Sequence, residues 1–243
     1  MSVEFTKENL DSIFKDLGKE FRRLNGTKMR AEIVLIGGGA VLANYKFREM
    51  TTDIDAIIRS SSVMKEAILF ISDKYNLPHN WLNEGFKKTE SYSEKLEEVS
   101  IYYKTFSNIM EIRAVSAEYL IAMKLMSGRL YKNDLSDIIG ILLEHKINET
   151  PISYEAIKNA ILKLYESKPL PDVSKELLDE IFRTEDYKSL YSKYRESEKE
   201  AKDLLLEFDR ENPGMLKSEN ITSTIKMMRQ RKQQEERQNA NNS

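Results

Sequence analysis

Three consecutive glycines, Gly37, Gly38 and Gly39, follow a short β-branched stretch at residues 31–36 (Ala-Glu-Ile-Val-Leu-Ile). The 243-residue chain has only nine glycines, about half the usual ~7%, so a third of its supply falls at one point. Glycine used this sparingly marks a place where the backbone must turn sharply or let another group come close. The apolar run before it predicts a buried strand over 31–36. The apolar residues after it predict a short helix at 40–47. A strand that passes through glycine straight into a helix leaves the first helical amides free. Those amides, with the positive end of the helix dipole, make an anion site.

A second strand is predicted at 54–59 (Ile-Asp-Ala-Ile-Ile-Arg). Asp53 and Asp55 alternate along it and therefore share a face. Two adjacent carboxylates repel each other unless a cation lies between them, and hard oxygen ligands suit Mg²⁺ or Mn²⁺. A phosphate cradle beside a divalent-metal site is the minimum equipment for phosphoryl or nucleotidyl transfer. Other glycine-loop chemistries do not fit. A P-loop would end in Gly-Lys-Ser/Thr, where this chain has Gly39-Ala40-Val41, and a dinucleotide fingerprint would need glycine where Leu42 stands.

Around this core the pattern predicts an amphipathic helix at 7–24, started by Thr6 and stopped by Asn25-Gly26. A serine-capped helix follows at 63–75, then an irregular polar stretch at 76–96, then two strands near 98–105 and 109–114 turning at Ser107-Asn108. Helices alone are predicted downstream, at 117–128, 134–145, 153–166, 173–183 and 186–210. The expected fold class is therefore α/β (α+β). A small mixed sheet occupies residues 1–115 and an all-helical region residues 116–212. Asn212-Pro213-Gly214 breaks the last helix. The polar tail at 213–243 is expected to be frayed, with Ile221, Ile225 and Met228 as a short stripe that would dock if it orders.

Composition narrows the chemistry. There are no cysteines and only two histidines, which excludes disulfides, thiol catalysis and cysteine- or histidine-rich metal sites. A net charge of −2 argues against a chain that binds nucleic acid over its whole surface. No apolar run approaches the ~18 residues of a membrane span. The opening Met-Ser-Val-Glu-Phe has no leader pattern, so a cytoplasmic, non-membrane protein is expected.

Gly37-Gly38-Gly39-Ala40, Arg48, Thr51 and Asp53-Ile54-Asp55 resemble the signature of the DNA polymerase β-like nucleotidyltransferase superfamily. The spelling Arg-x-x-Thr-x-Asp-Ile-Asp is similar to that of the minimal bacterial AbiEii-like group, known from abortive-infection and toxin–antitoxin systems. Leu77-Pro78-His79-Asn80-Trp81-Leu82-Asn83 resembles a second block of that group. Tyr119-Leu120 through Lys124-Leu125, then Arg129, Asp134 and Asp137, resemble a third. The resemblance covers about residues 30–145.

It implies a Mg²⁺- or Mn²⁺-dependent enzyme that moves a nucleotide from an NTP to an RNA, tRNA included, or to a protein hydroxyl, with release of pyrophosphate. It also implies a toxin or phage-defence role with an antitoxin partner. Carried over by position, Asp53 and Asp55 bind the metal, and Gly37 and Gly38 hold the triphosphate. Gly39 offers backbone alone where many members carry Ser or Thr. Glu111 stands in for the third carboxylate, with Asp134 and Asp137 next in line. Arg48, Thr51, Lys124 and Arg129 become nucleotide contacts. On residue chemistry alone, Arg48 reads more readily as a solvated charge, and Lys124 and Arg129 read equally as partners of Asp134 and Asp137. A non-catalytic nucleotide-binding protein of the same fold is the alternative.

Overall fold

Local capping chemistry sets the first helix. The Thr6 hydroxyl accepts from the Asn9 amide while Asn9 Oδ1 accepts from Thr6 N, a reciprocal capping box that opens α1 (Lys7–Asn25). Gly26 closes it at φ 65°. Leu10, Ile13, Phe14, Leu17 and Phe21 are buried on one face, as their three-and-four spacing requires. The computed structural model describes residues 4–27, 29–217 and 219–241.

Five strands form one mixed sheet in the order β3-β2-β1-β5-β4. They are β1 (Ala31–Leu35), β2 (Ile54–Arg59), β3 (Leu82–Asn83), β4 (Ser100–Phe106) and β5 (Met110–Val115). β1 lies at the centre, antiparallel to β2 and parallel to β5. Its Ile33, Val34 and Leu35 are all buried, which is why the strand reads as a continuous apolar run. Ser107 and Asn108 both take positive φ, 52° and 55°, the backbone a tight hairpin needs to return β4 into β5.

Three expectations change in this half. α2 runs Gly37–Asn44, three residues ahead of the expected start, so the glycines are its first turn and not a loop before it. α3 (Met64–Tyr75) has Val63 at its N-cap with no side-chain cap, because Ser61 Oγ is turned away to Asn25 Oδ1 at 2.9 Å. β3 was not expected in the polar 76–96 stretch; it pairs in parallel with β2 at Ile54↔Leu82 and Asp55↔Asn83.

The helical half comprises α4 (Ala117–Ser127), α5 (Asp134–Ile147), α6 (Tyr154–Tyr165), α7 (Asp172–Arg183) and α8 (Tyr187–Glu211). α5 packs on α4 and α8, and α6 covers α4. One hydrophobic cluster runs from Phe5 to Leu190, so both halves share a core across residue 115. The stretch after Gly214 differs from the frayed tail expected of it. Residues Ile221–Asn241 form α9, and Ile225 joins Ala201 and Leu205 of α8 in a second apolar cluster. The polar composition hides this because docking needs only the stripe at 221, 225 and 228 once α8 presents a matching one. Ser218 and residues 242–243 of the tail lie outside the described residues. Among the described residues no helix is long and apolar enough to cross a membrane.

Candidate active site

The end of β1, the start of β2 and the N-terminus of α2 meet at one end of the sheet's interior strands. Ile36 N donates to Asp55 O at 3.0 Å, which fixes the two strands side by side where α2 begins. The first intrahelical bond runs from Ala40 N to Ile36 O, so the amides of Gly37, Gly38 and Gly39 precede it and lack an acceptor within the helix. Gly37 takes φ 54°, a conformation glycine adopts without strain. Gly37, Asp53, Asp55, Asn83 and Arg129 line a cleft of about 380 Å³. Asp55 is half-buried and Asp53 exposed. Burial pushes the Asp55 carboxyl above its ordinary range and the Asp53 charge adds to this, while Arg129, Lys132 and the Asn83 amide pull it back. A cation between the carboxylates would relieve both upward pressures.

The glycines divide by role. A Cβ on Gly38 would sit 2.7 Å from Thr51 Oγ1, and one on Gly39 3.4 Å from the Ile54 side chain. These two therefore let α2 pack against the approach to β2, while Gly37 is the one that lines the cleft. Thr51 belongs to the same packing and does not line the cleft. It is buried, bridges to Phe5 by two backbone bonds, and donates its hydroxyl to Asp53 O at 3.2 Å.

Behind the cleft lies a buried ionic cluster. Arg48 Nη1 donates to both oxygens of Asp137, at 2.8 and 2.9 Å. Lys124 Nζ lies 3.1 Å from Asp134 Oδ1 and 2.8 Å from Asp137 Oδ2. Arg129 Nε donates to Asp134 Oδ2 at 2.7 Å. Burial alone would raise the Asp134 carboxyl, but Lys124 and Arg129 outweigh it and hold it below the ordinary range. Arg48 and Lys124, expected as nucleotide contacts, are thus partners of the α5 carboxylates and do not line the cleft. Arg129 does both, because its guanidinium reaches the cleft from the loop between α4 and α5.

A family described as a nucleotidyltransferase of unknown function (DUF6036) matches residues 12–202, a span that holds every residue of the cleft. The chain belongs to this family. No curated protein and no solved structure matches it.

In this nucleotidyltransferase-family chain, the structure does not bring Glu111 to the cleft. Strand register gives the reason. β5 aligns Ala114 with Leu35, and β2 aligns Ala56 with Leu35, so Val115 is level with Asp55. Glu111 faces the same side four residues down the strand, about 13 Å away at ~3.3 Å per residue. There it pairs with Arg113 at 2.8 Å. Asp134 and Asp137 are consumed by the ionic cluster. Among the described residues no group of three or more acidic, histidine or cysteine side chains converges to hold a metal. The far wall comes from residues to which sequence reasoning gave no role: Asn80, Asn83, Gly85, Thr89, Ser91 and Met123. The visible signals were the Leu77–Asn83 block, which holds Asn80 and Asn83, and Gly85 inside an otherwise polar, irregular stretch. Its amide donates to Asn83 Oδ1 at 2.7 Å, in an Asx-type turn that shapes the rim. Trp81 is a core anchor, stacked on Phe5 at 5.8 Å between centroids.

Proposed function

We propose that this protein transfers a nucleotide from an NTP to a macromolecular hydroxyl and releases pyrophosphate. The observation that supports this reading most is the meeting of Asp53, Asp55, the free Gly37 amide and Arg129 in one cleft. Asp53 and Asp55 would hold Mg²⁺ or Mn²⁺. The site fits such an ion, because Asp55 carries an unfavourable charge from burial and from Asp53, and Mg²⁺ takes one or two carboxylates with the rest of its shell from phosphate and water. When bound, the metal neutralises charge on the triphosphate and on the departing pyrophosphate. The chain's own groups do the positioning. The amide of Gly37, the glycine that lines the cleft, donates to a phosphate oxygen at the helix N-terminus, and Arg129 offers a guanidinium whose direction is fixed by Asp134. The acceptor hydroxyl attacks the α-phosphorus and gives up its proton to solvent, its new P–O bond replacing the one to the β-phosphate, which leaves as pyrophosphate. Placement and fixed charge supply most of the rate.

The AbiEii-like spelling extends the proposal to RNA, tRNA included, or a protein as acceptor, to a toxin or phage-defence role with an antitoxin partner, and to a cytoplasmic setting. A second reading, nucleotide binding without transfer, is favoured by one observation: the position on β5 level with Asp55 is Val115, so that strand supplies no third carboxylate beside the pair. Incubation with each radiolabelled NTP, Mg²⁺ and total cellular RNA or protein separates the two. Transfer predicts a labelled macromolecule that Asp53→Asn abolishes and Glu111→Gln leaves unchanged. Tight NTP binding with no label from any nucleotide would leave the binding reading standing and overturn the enzyme.

A further inference from the structure

α5 begins at Asp134, yet its N-cap, Asn133, makes no side-chain bond to the free amides of the first turn. The bonds come instead from α8. Glu198 Oε1 accepts from Leu135 N at 2.8 Å and from Ser136 N at 3.4 Å, and its Oε2 pairs with Ser136 Oγ at 2.5 Å. Glu198 is 2% exposed, so no water substitutes for it at those donors. An acceptor at N2 and N3 is what an N-cap side chain provides, and here it arrives from 62 or 63 residues away in sequence.

The capped turn carries the ionic cluster. Asp134 immediately precedes Leu135 and holds Arg129 by Nε at 2.7 Å and Nη2 at 3.3 Å. Asp137 follows Ser136 and holds Arg48 and Lys124. Arg129 is the one member of this cluster that lines the cleft with Asp53 and Asp55. A shift of the first turn of α5 therefore moves the cation that faces the substrate.

We propose that Glu198 is a positioning residue, which caps α5 from α8 and through Asp134 sets the guanidinium of Arg129 against the phosphate groups of the nucleotide. This rests on the functional reading above and adds to it a connection from the C-terminal helices to the substrate. Glu198 touches no substrate, so its effect must pass through Arg129 and must vanish when Arg129 is gone.

The test measures binding of inorganic tripolyphosphate with Mg²⁺ by calorimetry, using the full chain. This probe carries the phosphates common to every NTP. Glu198→Met keeps the length and removes the acceptors, and is expected to weaken binding about tenfold. Glu198→Gln keeps an acceptor for the amides and a polar partner for Ser136, and is expected to bind within about twofold of wild type. Arg129→Gln should weaken binding by itself, and Glu198→Met on that background should add nothing. If Glu198→Met does not fold, Ser136→Ala removes one of the three bonds. It should then weaken binding about threefold, again only when Arg129 is present. Additive losses, or Glu198→Met with normal affinity and a lowered Tm, would leave Glu198 a purely structural residue and overturn the inference alone. Wild-type protein that does not bind the probe would overturn the functional reading and this inference with it.

Discussion

Replacing Lys124 by Met tests whether the cluster behind the cleft is a buried, mutually compensated unit. The Lys124 side chain is 4% exposed, and its ammonium touches two carboxylates, at 3.1 and 2.8 Å. At a separation near 3 Å and an effective dielectric of ~20, each contact is worth about 5 kcal/mol before desolvation is counted. Burial offsets most of that, and removal of one partner from a buried pair typically costs about 3–5 kcal/mol. Here each carboxylate keeps a second partner, Arg129 for Asp134 and Arg48 for Asp137. The loss should therefore lie at the lower end, about 3 kcal/mol. For a chain of this size that corresponds to a fall in Tm of roughly 6–12 °C. Urea titration at pH 7 reads it directly, with Lys158→Met as control: that lysine is half exposed in an i,i+3 pair and should change stability by less than about 0.5 kcal/mol. A loss at Lys124 no larger than the control's would refute the reasoning, since it would mean that water reaches the ammonium.

Gly38→Ala should cost about 1–3 kcal/mol by overpacking against Thr51 Oγ1, and adding Thr51→Ala should recover much of it because the clashing atom is gone. Equal stabilities for the single and double variants would show that the close approach is not what glycine serves there. Burial pushes the Glu198 carboxyl from an ordinary 4.5 up to about 8. The folded chain therefore prefers it protonated, a stabilisation complete below about 4.5 and lost as pH rises towards 8. Glu198→Gln imitates the neutral form, so its stability relative to wild type should grow across that window, by at most a few kcal/mol; parallel pH profiles would contradict this. Truncation after Gly214 should lower Tm, because it uncovers Ala201 and Leu205, which α9 buries through Ile225. An unchanged Tm would mean that α9 adds no stability.

Much of the chemistry-bearing edge was legible because it is local. The strand into Gly37, the helix that follows and the Asp53–Asp55 alternation all lie within residues 31–55, where side-chain period and backbone freedom decide the geometry. The same holds for the Thr6 cap, Gly26 and the Ser107-Asn108 turn. β3 was not legible, because two residues carry no periodicity and pair only once Trp81 is anchored in the core and its carbonyl accepts from Ile54 N at 2.9 Å. Of α9 only the stripe at Ile221, Ile225 and Met228 was legible; that it orders as a helix depends on a partner stripe in α8.

Glu111 shows where the limit lies. The resemblance puts an acid on a later strand, and Glu111 does lie on β5, on the face that Val115 shares with Asp55. The level along the strand is different information. It depends on how β1, β2 and β5 slide past one another, which is set by the buried sets Ile33, Leu35, Ala56, Ile112 and Ala114 acting together. A slip of two residues keeps every side chain on its face and moves an acid by about 6.6 Å, so face patterning cannot fix it. The cations follow the same logic. Lys124 and Arg129 lie five residues apart in sequence, yet Lys124 is sealed in the cluster and Arg129 reaches the cleft. What separates them is the first turn of α5, held by a carboxylate from a helix more than sixty residues downstream. The carboxylates and the glycine of the cleft are set by short-range sequence, and the direction of its cation, Arg129, by the packing of the helical half.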